Sequence, residues 1–381
     1  MRSRAVALGA ALLVLLPAAG PVAAQDAALP VGWSMVASGL HAPRGMAITA
    51  DGDFYIVEAG PGGTDCVDGW RGPLCAGLTG SIGIVSDGVV KEIVTGIAGF
   101  DDAGESVGPE HIVIDEDGTI HVSVGGGSNR KEILPQYAEQ LGYVHTIAPD
   151  GTRTAFADIA GYEDANNPDQ ADPGSAIDSN MFGLVRHPED GHLYVIDAGG
   201  NTLYRLGEDG TPEVVSVFRA RMVPAPMDPA ASPDPAASPV MMPMQSVPTG
   251  LVVGPDGDFY AGELTGFPFP PGQANVYRIP AEGGDPEVYA TGFTNIVDVD
   301  FGPDGTLYVL EYQHNGMMSG DLTGGLWAVP AGGGDPVLLA TDPLVQPGAV
   351  LVAEDGTVYV SNRAMGKDST GELLAFQPPA G

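Results

Sequence analysis

One phrase recurs six times along the chain, and it restricts the fold more than any other feature. An apolar run meets an Asp-Gly turn and a second apolar run that mostly ends on an acid or amide. The copies are APRGMAITADGDFYIVEA from Ala42, GPEHIVIDEDGTIHVSVG from Gly108, NMFGLVRHPEDGHLYVIDA from Asn180, VPTGLVVGPDGDFYAGEL from Val247, NIVDVDFGPDGTLYVLEY from Asn295 and QPGAVLVAEDGTVYVSNR from Gln346. The turn glycines Gly52, Gly118, Gly191, Gly257, Gly305 and Gly356 are spaced by 66, 73, 66, 48 and 51 residues. Asp-Gly between β-rich runs signals a hairpin, because Gly accepts the positive φ of a tight turn. A period this long is a whole supersecondary module.

Each module continues into a third apolar run, such as GSIGIVSDG at 80–88 and ANVYRIPAEGG at 274–284. Five modules then add a fourth, such as VVKEIVTGI and PEVYATGF, but the chain ends after the sixth third run. The missing strand stands at the other end, where WSMVASGL (33–40) precedes the first module and reads like PEVYATGF. Six four-stranded blades with such an exchange make an all-β, six-bladed β-propeller whose ring is closed by the N-terminal strand in the last blade. A linear solenoid has no use for the exchange and needs capping repeats. In this topology the first run of each phrase is the innermost strand, lining the channel. The lower face carries short turns. The upper face is expected to carry long loops at 59–79, 98–108, 125–142, 161–180, 219–246, 264–273 and 312–323, and loops on a constant scaffold are where function concentrates.

The first residues read as a signal peptide, 1–24, with a basic MRSR, an apolar AVALGAALLVLL and a small-residue cleavage site PVAA. Residues 25–381 then form the propeller, with a Pro/Ala/Met-rich insertion at 219–246 that lacks strand alternation and reads as irregular, either a tether or an adaptable contact surface. The expected location is extracellular or periplasmic, with no stable membrane span. Removal of the signal leaves 13 Lys and Arg against 49 Asp and Glu, a net charge of about −36. That excludes phosphate-driven nucleic-acid binding and leaves cations, small molecules or a protein as partners; a monomer is expected. The only two cysteines, Cys66 and Cys75, suggest a disulfide in an exported chain. Two thiols nine residues apart with no nearby His lack a zinc ligand set.

GPGGTDC…PLCAGLTGSI, YEDANNPD…DSNMFGL, MQSVPTGLVVGPDG and above all GELTGFPFPPGQANVYRI…ATGFTNIVDVDFGPDGTLYVLE resemble the ScyD/ScyE family over essentially the whole mature chain. That resemblance implies an exported propeller, linked by family name to scytonemin biosynthesis, and no settled reaction. More loosely, the repeats resemble NHL-type and gluconolactonase-type propellers. The leading expectation is a binding or accessory protein that uses its upper face. The alternative is a metal-dependent lactonase or esterase. A weaker one is a quinone-dependent sugar dehydrogenase, although the upper loops are poor in the Arg and Lys its cofactor would need.

Six residues past each turn glycine stand Glu58, Val124, Asp197, Glu263, Glu311 and Asn362. They either ring the channel mouth as cation ligands or each cap backbone amides at their own strand end; recurrence in every blade favours capping. At the starts of the innermost strands the residues differ between blades: Arg44, Glu110, Phe182, Thr249, Val297 and Gly348, with His111, Asn180, Asn295 and Asp298 beside them. The gluconolactonase-type resemblance implies a metal held by one Glu, one Asn and one Asp. Glu110 matches directly, and Asn180 and Asp298 match with an offset; the oxygen ligands would suit Ca²⁺ or Mg²⁺. His111 is a candidate base or ligand, or simply a hydrogen-bonded channel residue. The stiff loop GFPFPPG at 266–272 offers Phe267 and Phe269 as a ligand platform or as packing. No H-E-x-x-H or phosphate-cradling loop is present.

Overall fold

The computed structural model describes residues 29–69, 71–226, 239–366 and 368–378. The signal peptide expected over 1–24 lies outside them, as do 227–238 of the insertion. The six repeated phrases form six antiparallel sheets. The innermost strands are Pro43–Ile48, Pro109–Ile114, Met181–Arg186, Pro248–Val253, Ile296–Phe301 and Ala349–Val352. Each sits beside the innermost strand of the next blade, and the last adjoins the first. The second strand of each phrase follows directly, from Phe54–Glu58 in blade one to Val358–Asn362 in blade six.

Trp33–Leu40 pairs antiparallel with Gly371–Phe376, from Trp33 opposite Phe376 to Leu40 opposite Gly371. The sixth sheet therefore takes its outer strand from the N-terminus and its other three from the C-terminus. Trp33 and Phe376 seal the join with ring centroids 4.7 Å apart.

Every seam between neighbouring blades carries its own apolar core. Val57 and Ile82 meet Ile112 and Val122 between blades one and two. Val144 meets Leu184 and Val195, Tyr194 and Ile196 meet Leu251 and Phe259, and Val276 meets Val299 and Val309. Leu310 and Leu326 meet Val350 and Val360, and Ala37 and Leu373 meet Met46 and Ile56 across the closing seam. The alternation of each strand places apolar side chains on both faces of a blade, so a blade is stable only with a neighbour on each side.

Near the axis the innermost strands approach closely. The register with the second strand breaks just after the first residue, between Pro43 and Met46, Pro109 and Ile112, Met181 and Leu184, Pro248 and Leu251, and Ile296 and Asp298. These bulges free the upper end of the strand to lean on the next blade. A Cβ on Gly250 would stand 2.6 Å from Asp298 Cα, and one on Gly45 would stand 2.8 Å from His111 Cα. Ser123 Oγ donates across a seam to Phe182 O at 2.7 Å, and Thr249 Oγ1 to Ile296 O at 2.8 Å.

Two upper segments are more regular than expected. The third and fourth strands of blade one run on as Pro73–Ser86 and Val89–Asp102, a long ribbon in place of the loops expected at 59–79 and 98–108. Cys66 lies on Asp65–Asp68, directly opposite Cys75 on that ribbon, and the two are disulfide-bonded. The described ends of the insertion, Arg221–Pro224 and Met241–Met244, pair as a two-stranded ribbon. Its prolines are tolerated because the ribbon stands outside the blades.

Adding a side chain on the axis tests the close approach. Gly250→Val should lower stability by about 3 kcal/mol or more through overpacking against the next blade. Val252→Ala, whose side chain is only half-buried, should cost less. Denaturant midpoints of the two variants compare them.

Candidate functional site

The upper channel mouth brings some of the expected residues together and sends others elsewhere. Arg44 Nε faces Glu110 Oε2 at 3.2 Å, and only 3% and 4% of the two residues is exposed. The Arg44 guanidinium also donates to Ser106 O and approaches Met365 Sδ at 3.9 Å. Burial pushes the Glu110 carboxyl up to about 7, against the opposing charge of Arg44. His111, beside it, is half-buried with Nδ1 unpartnered. Burial lowers its pKa to about 4, so the ring is neutral.

The remaining candidates serve the scaffold. Asn180 Oδ1 accepts from Gly126 N–H at 2.8 Å, tying blade three to a loop of blade two. Asp298 reaches sideways, and its Oδ2 accepts from Val350 N–H of the next blade at 2.9 Å. Asp300 does the same two residues on, accepting from Val352 N–H at 2.7 Å. Burial raises both, Asp298 well above the carboxylate range and Asp300 to about 7. Asn295 knits two upper loops: its amide donates to Leu264 O at 2.8 Å, and its Oδ1 accepts from Met317 N–H at 3.1 Å. Each oxygen-bearing side chain of the expected trio thus has a protein partner. Among the described residues, no three His, Cys, Asp or Glu side chains gather as a metal ligand set.

The second series caps the blades. Glu58 accepts from His41 N–H, Asp197 from Asn180 N–H at 2.7 Å, Glu311 from Thr294 N–H at 2.6 Å and Asn362 from Val345 N–H at 2.8 Å. Each donor lies just ahead of the innermost strand of the same blade. The side chain therefore stitches the end of the second strand to the entry of the first. Glu263 differs, accepting from Asn275 N–H at 3.1 Å while pairing with Arg221 of the insertion.

Apolar side chains, by contrast, are displayed on the upper loops. Phe267 is 53% exposed and stands edge-on to the half-buried Phe269, with ring centroids 6.3 Å apart. Met318 and Leu322, on the next long loop, are 70% and 46% exposed. The two loops touch: a Cβ on Gly316 would lie 2.9 Å from Pro271 Cγ. Leu264, Thr265 and Gly266 donate in ladder fashion to Val247, Ser246 and Gln245, which fixes the base of the Phe267 loop.

The architecture is that of six-bladed propeller proteins among solved structures. The PQQ-bound aldose sugar dehydrogenase of Streptomyces coelicolor is 13% identical, with a TM-score of 0.53, covering 92% of this chain and 99% of that one. A Thermus thermophilus protein described as a putative oxidoreductase, a glucose dehydrogenase, is 16% identical with a TM-score of 0.52, covering 91% and 99%. A gluconolactonase from Xanthomonas campestris is 18% identical with a TM-score of 0.44, covering 75% and 81%. Identities this low establish the fold and nothing finer. No protein-family model and no curated protein matches the chain. No helix among the described residues is long and apolar enough to cross a membrane.

The mouth pair makes a double-mutant test. Arg44→Met should cost about 3–5 kcal/mol by leaving Glu110 buried and unpaired, and adding Glu110→Gln should restore most of it. The Glu110 carboxyl rises from 4.5 to about 7 on folding. Its contribution to stability is therefore full in acid and is lost as pH climbs through about 7. Glu110→Gln should flatten that part of the stability profile, read from denaturant midpoints between pH 4 and 8.

Proposed function

We propose that the chain is an exported binding or accessory propeller that engages an apolar ligand or partner through the loop rim of its upper face. The observation that carries this reading is a contrast. Arg44, Glu110, Asn180 and Asp298 spend their polar groups on the scaffold, whereas Phe267, Met318 and Leu322 stand in solvent on touching loops. Exposed apolar side chains gathered on one rim mark an interaction surface more often than an accident of packing. Asn295 braces the two loops against each other, so the rim loses little entropy when it binds. Export is supported by the N-terminal signal pattern and by the Cys66–Cys75 bond. The reading agrees with the resemblance of the GELTGFPFP and FTNIVD stretches to the ScyD/ScyE family.

A metal-dependent hydrolase would instead work from the channel mouth, where His111 keeps an unpartnered nitrogen beside Glu110. One pair of measurements separates the two. Nile red, a neutral apolar dye, should fluoresce on wild type, and Phe267→Ser with Met318→Ser should cut that emission at least about threefold while shifting stability by no more than about 0.5 kcal/mol. Equal emission from both proteins would overturn the rim. So would calcium- or magnesium-dependent hydrolysis of lactones that Glu110→Gln abolishes.

A further inference from the structure

The outer rim between blades one and two holds a cation that no acid of the chain balances. Ten arginines lie among the described residues, and nine of them pair with an Asp or Glu. Arg153, at the start of the outer strand Arg153–Asp158 of blade two, is the exception. It is half-buried, and its one hydrogen bond runs from Nη1 to Gly96 O of blade one at 2.9 Å. The opposite edge of the guanidinium, with the parallel N–H groups of Nε and Nη2, is left without a protein partner. That is the edge with which arginine holds a carboxylate through two parallel bonds. Arg186 spends the same edge in that way, its Nε on Asp115 Oδ1 and its Nη2 on Asp115 Oδ2, each at 2.8 Å. Burial lowers the Arg153 pKa, with no neighbouring acid to offset it. In a chain with 49 acidic residues against 15 basic ones, a half-buried arginine has acids to choose from, so one without a partner calls for a ligand.

Arg153 lines a cavity of about 410 Å³. His145 and Ala155, also on its lining, stand opposite each other in the sheet, and Arg153 lies two residues from Ala155 on the same face. The short side chain of Ala155 leaves that floor open. Gln136, Glu139 and Gln140, from the 125–142 connection, line the other side. The connection is tied down beforehand: Gln140 Oε1 accepts from Ala98 N–H at 3.1 Å, and Tyr137 donates to Asp65 Oδ2 at 2.6 Å. With its oxygen engaged, Gln140 keeps its amide N–H groups as donors. His145 Nε2 donates to Gln140 O at 2.9 Å, and burial lowers the pKa of the ring, which is therefore neutral. The lining thus carries one positive charge, on Arg153, beside two amides and the exposed Glu139.

We propose that this cavity binds a small hydroxylated monocarboxylate, of the size of a sugar acid, with its carboxylate on the Nε and Nη2 edge of Arg153. The site is separate from the apolar rim and does not rest on it. One cation suits one negative charge, and Glu139 opposes a doubly charged phosphate ester. The amides of Gln136 and Gln140 and the Glu139 carboxylate suit hydroxyl groups. The competing account is an arginine that only staples blade two to Gly96. It needs neither the unpartnered edge nor the cavity beside it.

The test titrates D-glucuronate into wild type and Arg153→Gln, read by isothermal calorimetry and by the NMR signals of the histidine rings. Glutamine can still donate to Gly96 O, so the denaturant midpoint should hold. Wild type should bind with one-to-one saturation, and the variant at least about tenfold more weakly, as expected for loss of a bidentate charged contact. D-glucose lacks the carboxylate and should not compete, and glucose 6-phosphate should bind more weakly than glucuronate. Phe267→Ser, on the apolar rim, should leave the affinity unchanged. On unmutated protein the His145 ring signal should move with saturation, which places the ligand whatever the variant does to stability. Absence of saturable binding to wild type, equal affinity in Arg153→Gln, an unmoved His145 signal or a preference for glucose 6-phosphate would each overturn the site.

Discussion

Ring closure is the constraint on which the rest of the structure depends. A blade with apolar side chains on both faces has no stable surface to offer water, so each needs a neighbour on both sides. A ring meets that need for every blade at once, provided its last sheet is complete. Completion rests on the pairing of Trp33–Leu40 with Gly371–Phe376. The pairing joins the two ends of the chain, so no blade can be lost from either end without opening a seam core. The fold is therefore cooperative around its circumference in a way that a linear repeat array is not.

Closure also decides what the channel can do. Six innermost strands are drawn together, and glycine stands where a side chain would strike the next blade. Polar groups near the axis then find partners within the ring: Arg44 with Glu110, Asp298 with Val350, Asp300 with Val352. Carboxylates in these positions are raised by burial rather than kept ready as anions. On the function proposed above, recognition falls instead to the long connections on the upper face. There the Phe267 loop is held from below by Asn295 and by the ladder to residues 245–247.

Much of this was legible in the sequence because it is written in period and turn chemistry. The Asp-Gly turns, the third and fourth runs and the displaced WSMVASGL strand all take the places expected of them. The acid or amide six residues past five of the six turn glycines also announced a capping role, which Glu58, Asp197, Glu311 and Asn362 fill. Less legible was anything decided by side-chain reach across a seam. Aligned positions Glu110 and Arg44 were expected at the mouth, but nothing in their spacing said that they would pair. Asp298 and Asp300 turn sideways to accept from Val350 and Val352 of the next blade, a reach that local composition does not mark. The upper ends of the blade-one ribbon fall within the stretches expected as loops at 59–79 and 98–108, yet a disulfide and cross-strand pairing hold them extended.

Native-state hydrogen exchange across the closing strands tests ring closure most directly. If closure governs the whole fold, the amides of 33–40 and 371–376 exchange only by global unfolding, with the same protection as the innermost strands 181–186 and 248–253. Exchange of 33–40 within seconds, while the innermost strands of the other blades stay protected, would contradict it: the ring would then stand without its N-terminal strand.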